Sequence, residues 1–303
     1  MFKNCNEAQP INLSYYFPRI VMNIALLGAN GQLGQDLLRA LSMHEVKPLT
    51  RSHVDVTDHT KVQTVLIELR PDVIINTTAF HRVDDCESQP DTAFRVNADA
   101  VGNLASVANK LDSTIVHFST DYVFDGKSNV PYTEDSEPRP LSVYAKSKLA
   151  GEKNIQSEAR KYFLVRTCGL YGKVGTSSKA GRNFVETMLA KARRGEKLQV
   201  VADQQVSPTY THDLANQIAV LISTPHFGLF HATNEGVCSW FEFAKAIFEL
   251  NKLNVNLSPT TSDIYKTPAI RPRYSVLENA KLKKLGLNQM RHWRDALAAY
   301  LND

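Results

Sequence analysis

The sequence predicts a doubly wound α/β fold, a parallel Rossmann sheet wrapped on both faces by helices, followed by a smaller C-terminal lobe. Three observations carry that expectation. Short apolar runs alternate with longer helix-period runs through the first half of the chain. Those short runs are apolar throughout rather than at every second residue, as in strands buried on both faces. A glycine-rich turn, Gly28-Ala-Asn-Gly31-Gln-Leu-Gly34, joins the first run to the first helical segment.

In chain order, the spacing predicts a strand over 24–28, a helix over 34–41, a strand over 46–50 and a helix over 60–69. A strand over 73–76, a long helix over 91–110 and a strand over 114–119 follow. A further helix carries Tyr144, and the apolar run 162–166 is the next strand. Right-handed crossovers then give one parallel sheet. Beyond 166 the pattern loosens into LYGKVGTSSKAGRNF, a loop long enough to be functional. Helices over 184–194, 213–221, 239–250 and 293–301 and a strand over 228–232 complete the chain. The expected units are an N-terminal extension over 1–21, a dinucleotide-binding domain over 22–166 and a mainly substrate-binding lobe over 167–303. The lobe can interleave with the first domain if the 213–221 helix packs back on the sheet.

With 43% hydrophobic and 22% charged residues, the 303-residue chain can bury a full core, which excludes a disordered protein. Its net charge of +4 is spread along the chain, which suits an anionic small molecule and argues against a nucleic-acid partner. The four cysteines form no C-x-x-C pair, so a zinc site is not expected and a reducing cytoplasm is. Positions 1–21 are broken by Asn, Glu, Gln, Pro and Arg and make neither a secretory leader nor a membrane span.

The glycine turn follows a strand and opens a helix, the context in which Gly28, Asn30, Gly31, Gln32, Leu33 and Gly34 cradle a pyrophosphate against free backbone N–H groups. At the end of the second strand, Thr50-Arg51-Ser52 stands where an acid would hold a ribose 2′-hydroxyl. Arg51 there points to a 2′-phosphate and hence to NADPH, with NADH left open. Asp55 and Val56 sit where a loop wraps an adenine, Asp55 accepting from its amino group.

Tyr144 and Lys148 lie one turn apart on a helix face. Reducing a carbonyl takes a hydride at carbon and a proton at oxygen. A tyrosine does the second job at neutral pH only if its pKa falls, which Lys148 is expected to bring about while holding the nicotinamide ribose. Ser119 or Thr120, at the C-terminal end of the preceding strand, would hydrogen-bond the substrate oxygen.

LLGANGQLG, FSTDYVFDG at 118–126, PYTEDSEPRPLSVYAKSKLAGE at 131–152 and RPRYSVLENAKLKKLGL at 271–287 together resemble the extended short-chain dehydrogenase/reductases, and within them the dTDP-4-dehydrorhamnose reductase family. The resemblance covers about residues 22–303. It implies NADPH-dependent reduction of the C4 ketone of dTDP-4-dehydro-L-rhamnose, a nucleotide-sugar substrate. It further implies Thr120 as the catalytic hydroxyl, Tyr144 as proton donor and Lys148 as its activator, with Asp121 and Tyr122 on the substrate side. Thr78, Ala79 and Phe80 of NTTAF would run beside the cofactor. Asn97 is read as a helix-internal amide tying two elements together. Arg182 and Arg271, with Lys179, are the candidates for the substrate's phosphates.

Two departures matter. Gly169 stands where that family carries a tryptophan along the sugar, which leaves room for another 4-keto-6-deoxy sugar, reduced or epimerised. Some members bind magnesium through glutamates at a dimer contact; Asp36 could mimic one, but Arg294 follows Trp293 where an acid would be needed, so no metal is expected. A homodimer is left open. The competing non-catalytic reading is an NADP-binding regulatory subunit resembling that of methionine adenosyltransferase, against which the intact hydroxyl, Tyr144 and Lys148 stand.

Overall fold

The computed structural model describes residues 21–173 and 183–303. Strands β1 (Asn23–Leu27), β2 (Glu45–Leu49), β3 (Val73–Asn76), β4 (Thr114–Thr120) and β5 (Tyr162–Thr167) join a later strand, Gly228–His231, in a six-stranded sheet. The order is Gly228–His231, β5, β4, β3, β1, β2, and every pairing is parallel. The three central strands and β5 are buried nearly end to end, which is why they read as unbroken apolar runs. Strand β2 carries Lys47 and Pro48 and is mostly exposed, as an edge position tolerates.

Helices cover both faces. Helix α1 (Gln32–Ala40) and the later helix Thr211–Ile222 pack on one, where Leu33 and Leu37 meet Leu214, Ile218, Ile24 and Leu26. On the other lie α2 (His59–Leu69), with the short α3 (Val83–Ser88) and α4 (Pro90–Phe94) leading through a π-helical stretch, Arg95–Asp99, into α5 (Ala100–Leu111). Helix α6 (Val143–Glu158) follows, begun by Ser142, whose hydroxyl accepts from Ala145 N–H at 3.2 Å. The chain beyond 167 thus returns to the sheet twice, once as the Thr211–Ile222 helix and once as the strand that pairs Phe230 with Val165.

The remainder builds a second core of its own. Tyr171, Val185, Tyr210, Phe243, Ile247, Trp293, Leu297 and Tyr300 pack between helices Phe184–Arg193, Trp240–Leu250 and Trp293–Asn302. The helix Trp240–Leu250 starts at a capping box in which Ser239 and Glu242 satisfy each other's backbone N–H groups. That fixes Trp240 in place at the first helical position.

Candidate active site

The C-terminal ends of β1, β3, β4 and β5 open on a cavity of about 680 Å³, the position at which open α/β sheets bind ligands. Its floor is the cradle. Gly28 has φ +80°, and a Cβ there would lie 2.4 Å from Thr77 Oγ1, so only glycine turns the chain at this point. A Cβ on Gly34 would meet Gly28 O at 2.5 Å, so this residue lets α1 press against the turn. Gly31 caps α1 without a side-chain acceptor and no acid occupies the first helical turn. The N–H groups of that turn therefore suit an anion, and the residues present fit a pyrophosphate.

Asn30, Gln32 and Leu33 line the same floor, and Arg51, Asp55 and Val56 line one flank. Arg51 is exposed at the rim, and its Nε donates to Asp55 Oδ2 at 2.9 Å. The other carboxylate oxygen accepts from Thr57 N–H and Oγ1 at 3.0 and 2.8 Å, which together with Arg51 hold Asp55 below the ordinary carboxylate range. Asp55 thus steers Arg51 across the rim, and its Oδ2 accepts from Arg51 Nε alone among the described residues. Gln32 also does more than line the floor, because its Oε1 accepts from Gly172 N–H at 2.6 Å and from Asn183 Nδ2 at 3.2 Å, joining the cradle to the second lobe.

Thr78, Ala79 and Phe80 form the opposite flank. Asn97 holds this loop, accepting from Phe80 N–H at 2.9 Å while its Nδ2 donates to Phe80 O and to Ser147 Oγ, both at 3.0 Å. It ties the loop to α6, which is what an amide in the π-helical stretch can do.

Ser119, Thr120, Asp121, Tyr122, Tyr144 and Lys148 converge at the inner end of the cavity. Tyr144 is half-buried and Lys148 almost wholly so, at 2% exposed, so the pair lies off the solvated face of its helix. Three features of the geometry bear on the expected roles. First, burial and Asp121 push Tyr144 up from its ordinary pKa, with the Thr120 hydroxyl opposing. Lys148 turns its Nζ to Phe118 O at 2.6 Å and lies 3.3 Å from His117 Nε2, and burial brings its own pKa down to about 8 against a smaller opposing pull from Glu152. Second, Thr120 Oγ1 donates to Asp121 Oδ1 at 3.0 Å and accepts from Tyr122 N–H at 3.2 Å, whereas the buried Ser119 hydroxyl has no partner among the described residues. Third, Asp121 faces inward at 2% exposed, and burial raises its pKa to about 6 against the opposing pull of its hydroxyl and thiol neighbours, of which Thr120 donates to it at 3.0 Å. It braces Thr120 at the cavity wall.

Arg271 pairs with a carboxylate and does not line the cavity. Its two terminal nitrogens donate to the two oxygens of Asp84 at 3.1 and 2.9 Å, and that pairing pulls the Asp84 carboxyl below its ordinary range. The end of the guanidinium that faces Asp84 is thus engaged by a carboxylate of matching geometry. Arg182 and Lys179 lie outside the described residues. Asp36 accepts from Arg39 at 2.6 Å and from Thr211 Oγ1 at 2.5 Å, tying α1 to the Thr211–Ile222 helix.

Gly169 takes φ +52°, and a Cβ on it would lie 3.0 Å from the Trp240 ring. The expectation that Gly169 leaves the pocket without a flat wall is overturned, because Trp240 lines the cavity beside it, backed by Phe184 at a centroid distance of 4.7 Å. The sequence carries one signal for it, the Ser239-x-x-Glu242 cap, which places Trp240 at a helix start but not in the pocket. His117, equally unforeseen, gives no sign because a lone His in an apolar strand reads as core.

The family model described as RmlD substrate binding domain matches residues 22–303. The chain belongs to that family. Among curated relatives, the spore coat polysaccharide biosynthesis protein SpsK of Bacillus subtilis is 39% identical over 92% of this chain and 97% of its own. The dTDP-4-dehydrorhamnose reductase of Streptomyces griseus is 38% identical over 89% and 90%. The crystal structure of dTDP-4-dehydrorhamnose reductase from Bacillus anthracis in complex with NADP superimposes with a TM-score of 0.89 at 38% identity, covering 93% of this chain and 99% of that one.

Proposed function

We propose that this chain is an NADPH-dependent oxidoreductase that reduces the C4 ketone of a dTDP-linked 4-keto-6-deoxy sugar, dTDP-4-dehydro-L-rhamnose, to dTDP-L-rhamnose. One observation carries the reading: the glycine cradle, a tyrosine, a buried lysine and two hydroxyls line a single cavity. Membership of the family and the NADP-bound relative support it. Bound reduced nicotinamide supplies the hydride.

The chain's own residues supply the rest. The cradle and the open N-terminus of α1 take the pyrophosphate, and Arg51 the 2′-phosphate. The Thr120 hydroxyl, held against Asp121 beside the Tyr144 phenol, donates to the ketone oxygen when substrate is bound. Reduction needs Tyr144 as a phenol, and burial beside Asp121 keeps its proton in place until an alkoxide, a far stronger base, develops on the substrate oxygen. Lys148, in its ammonium form, steadies the resulting tyrosinate and holds the ribose hydroxyls. Trp240 walls the sugar. Because that wall comes from a helix of the second lobe, the second reading is reduction of another 4-keto-6-deoxy sugar.

The test is absorbance of reduced nicotinamide with dTDP-4-keto-6-deoxy sugars generated in the presence and absence of a 3,5-epimerase. Oxidation that requires the epimerase and falls at least about 100-fold in Tyr144→Phe is expected. Oxidation without the epimerase identifies the other sugar. No oxidation, with NADPH binding intact, refutes the reductase.

A further inference from the structure

His117 lies on β4 opposite Asn76 of β3, fully enclosed beneath the cavity. Its two ring nitrogens face different partners, Nδ1 being 3.2 Å from Asn76 Nδ2 and Nε2 3.3 Å from Lys148 Nζ. Asn76 decides which nitrogen carries the proton. Its amide oxygen accepts from Thr78 N–H at 3.0 Å and from Thr78 Oγ1 at 2.6 Å, so its NH2 group is the end that faces the ring. Nδ1 therefore accepts. In a neutral imidazole the proton then sits on Nε2, pointing at Lys148. Such an N–H is a hydrogen-bond donor to an amine lone pair and a repulsive neighbour to an ammonium.

We infer that His117 is a positioning residue for the proposed reaction: through Nε2–H it sets the place and the protonation of Lys148, and through Asn76 and Thr78 it joins that lysine to the loop flanking the cofactor. The neutral amine meets both neighbours well, donating to Phe118 O at 2.6 Å and accepting from His117. The other charged or titratable groups around it are accounted for. Glu152, on the same helix, favours the ammonium, but its carboxylate is held by Arg166 of β5 at 2.6 and 2.9 Å. Tyr144, one turn earlier on α6, keeps its proton, and Asp121 beyond β4 is engaged with Thr120. Burial and Lys148 hold the ring itself well below the ordinary histidine pKa, so it stays neutral while the lysine titrates.

The inference rests on the reading that Lys148 meets the cofactor, and its tests need no sugar substrate. Histidine-selective 15N NMR of the wild-type protein, assigned by difference with His117→Gln, reads the tautomer directly. A protonated Nε2 and bare Nδ1, unchanged from pH 6 to 9, is expected; protonation at Nδ1 overturns the inference. The second measurement is NADPH affinity against pH by nicotinamide fluorescence. Wild-type affinity should fall as pH rises through the Lys148 titration near 8. In His117→Gln an amide oxygen can accept from the ammonium, so the fall should move up by about one pH unit. A variant that binds NADPH more weakly at every pH, with the fall unmoved, reduces His117 to packing and refutes the role. A shifted fall in a protein that reduces no 4-keto sugar leaves the inference standing and removes the reductase reading.

Discussion

Replacing Glu152 by Gln isolates the ion pair on which the catalytic helix is seated. Arg166 and Glu152 meet through two hydrogen bonds, Nε to Oε1 at 2.9 Å and a terminal nitrogen to Oε2 at 2.6 Å, with side chains 3% and 1% exposed. The guanidinium also lies over the Phe124 ring at 5.2 Å. Glutamine keeps the shape but turns an NH2 against one guanidinium N–H and leaves a buried cation without its counter-charge. Breaking one partner of such a pair costs about 3–5 kcal/mol, whereas replacing both by apolar residues is close to neutral. At about 2–4 °C per kcal/mol for a protein of this size, the melting midpoint should fall by roughly 6–20 °C. Thermal and urea melts followed by circular dichroism at pH 7 measure it, with Glu152→Leu/Arg166→Met alongside. A second readout has a definite sign. Glu152 raises the Lys148 pKa, so its loss should move the pH dependence of NADPH affinity downward, opposite to His117→Gln. A Gln variant within about 1 kcal/mol of wild type, or a double variant no more stable than the single one, would refute the reasoning.

Trp240→Ala should raise KM for the nucleotide sugar about 5- to 30-fold, the equivalent of about 1–2 kcal/mol of lost apolar contact, while Trp240→Phe stays within about threefold and NADPH affinity is unchanged in both. Steady-state kinetics decide it, and an unchanged KM in the alanine variant removes Trp240 from the substrate wall. For Asp121 the pKa is about 6 in the fold against 3.8 unperturbed, so the unfolded chain binds fewer protons between these values and stability falls as pH rises through them. The gap of about 2 units is worth up to about 3 kcal/mol, hence Asp121→Asn should match wild type near pH 4 and exceed it by about 1–3 kcal/mol at pH 8. Urea titrations at the two pH values that show no growing difference would refute this.

Much of the site was legible because its chemistry is local in sequence. The G-x-x-G-x-x-G turn, the Ser119–Tyr122 strand end and the Tyr144/Lys148 pair each sit on one element whose direction follows from period and punctuation. The glycines were legible for the further reason that only Gly28 and Gly34 leave room for the backbone approaches found there. What a side chain faces across elements was not legible in the same way. Arg271 reads from sequence as a phosphate ligand, and only the approach of α3 to the C-terminal loop shows Asp84 in its fork. Lys148 reads as the agent that lowers the tyrosine pKa, and only burial, a pressure exerted by the whole core, shows both groups shifted toward their neutral forms.

The sequence by itself determined the parallel α/β sheet, the cradle and the order of the reacting groups, because strand burial, glycine sterics and helical spacing act over a few residues. The tertiary structure alone decided that Gly228–His231 joins that sheet, that Trp240 closes the pocket over Gly169 and that His117 stands behind Lys148. Those contacts join residues about 30 to 70 positions apart in the chain. No periodicity encodes them, since they exist only once loop-closure entropy has been met by the packing of two cores.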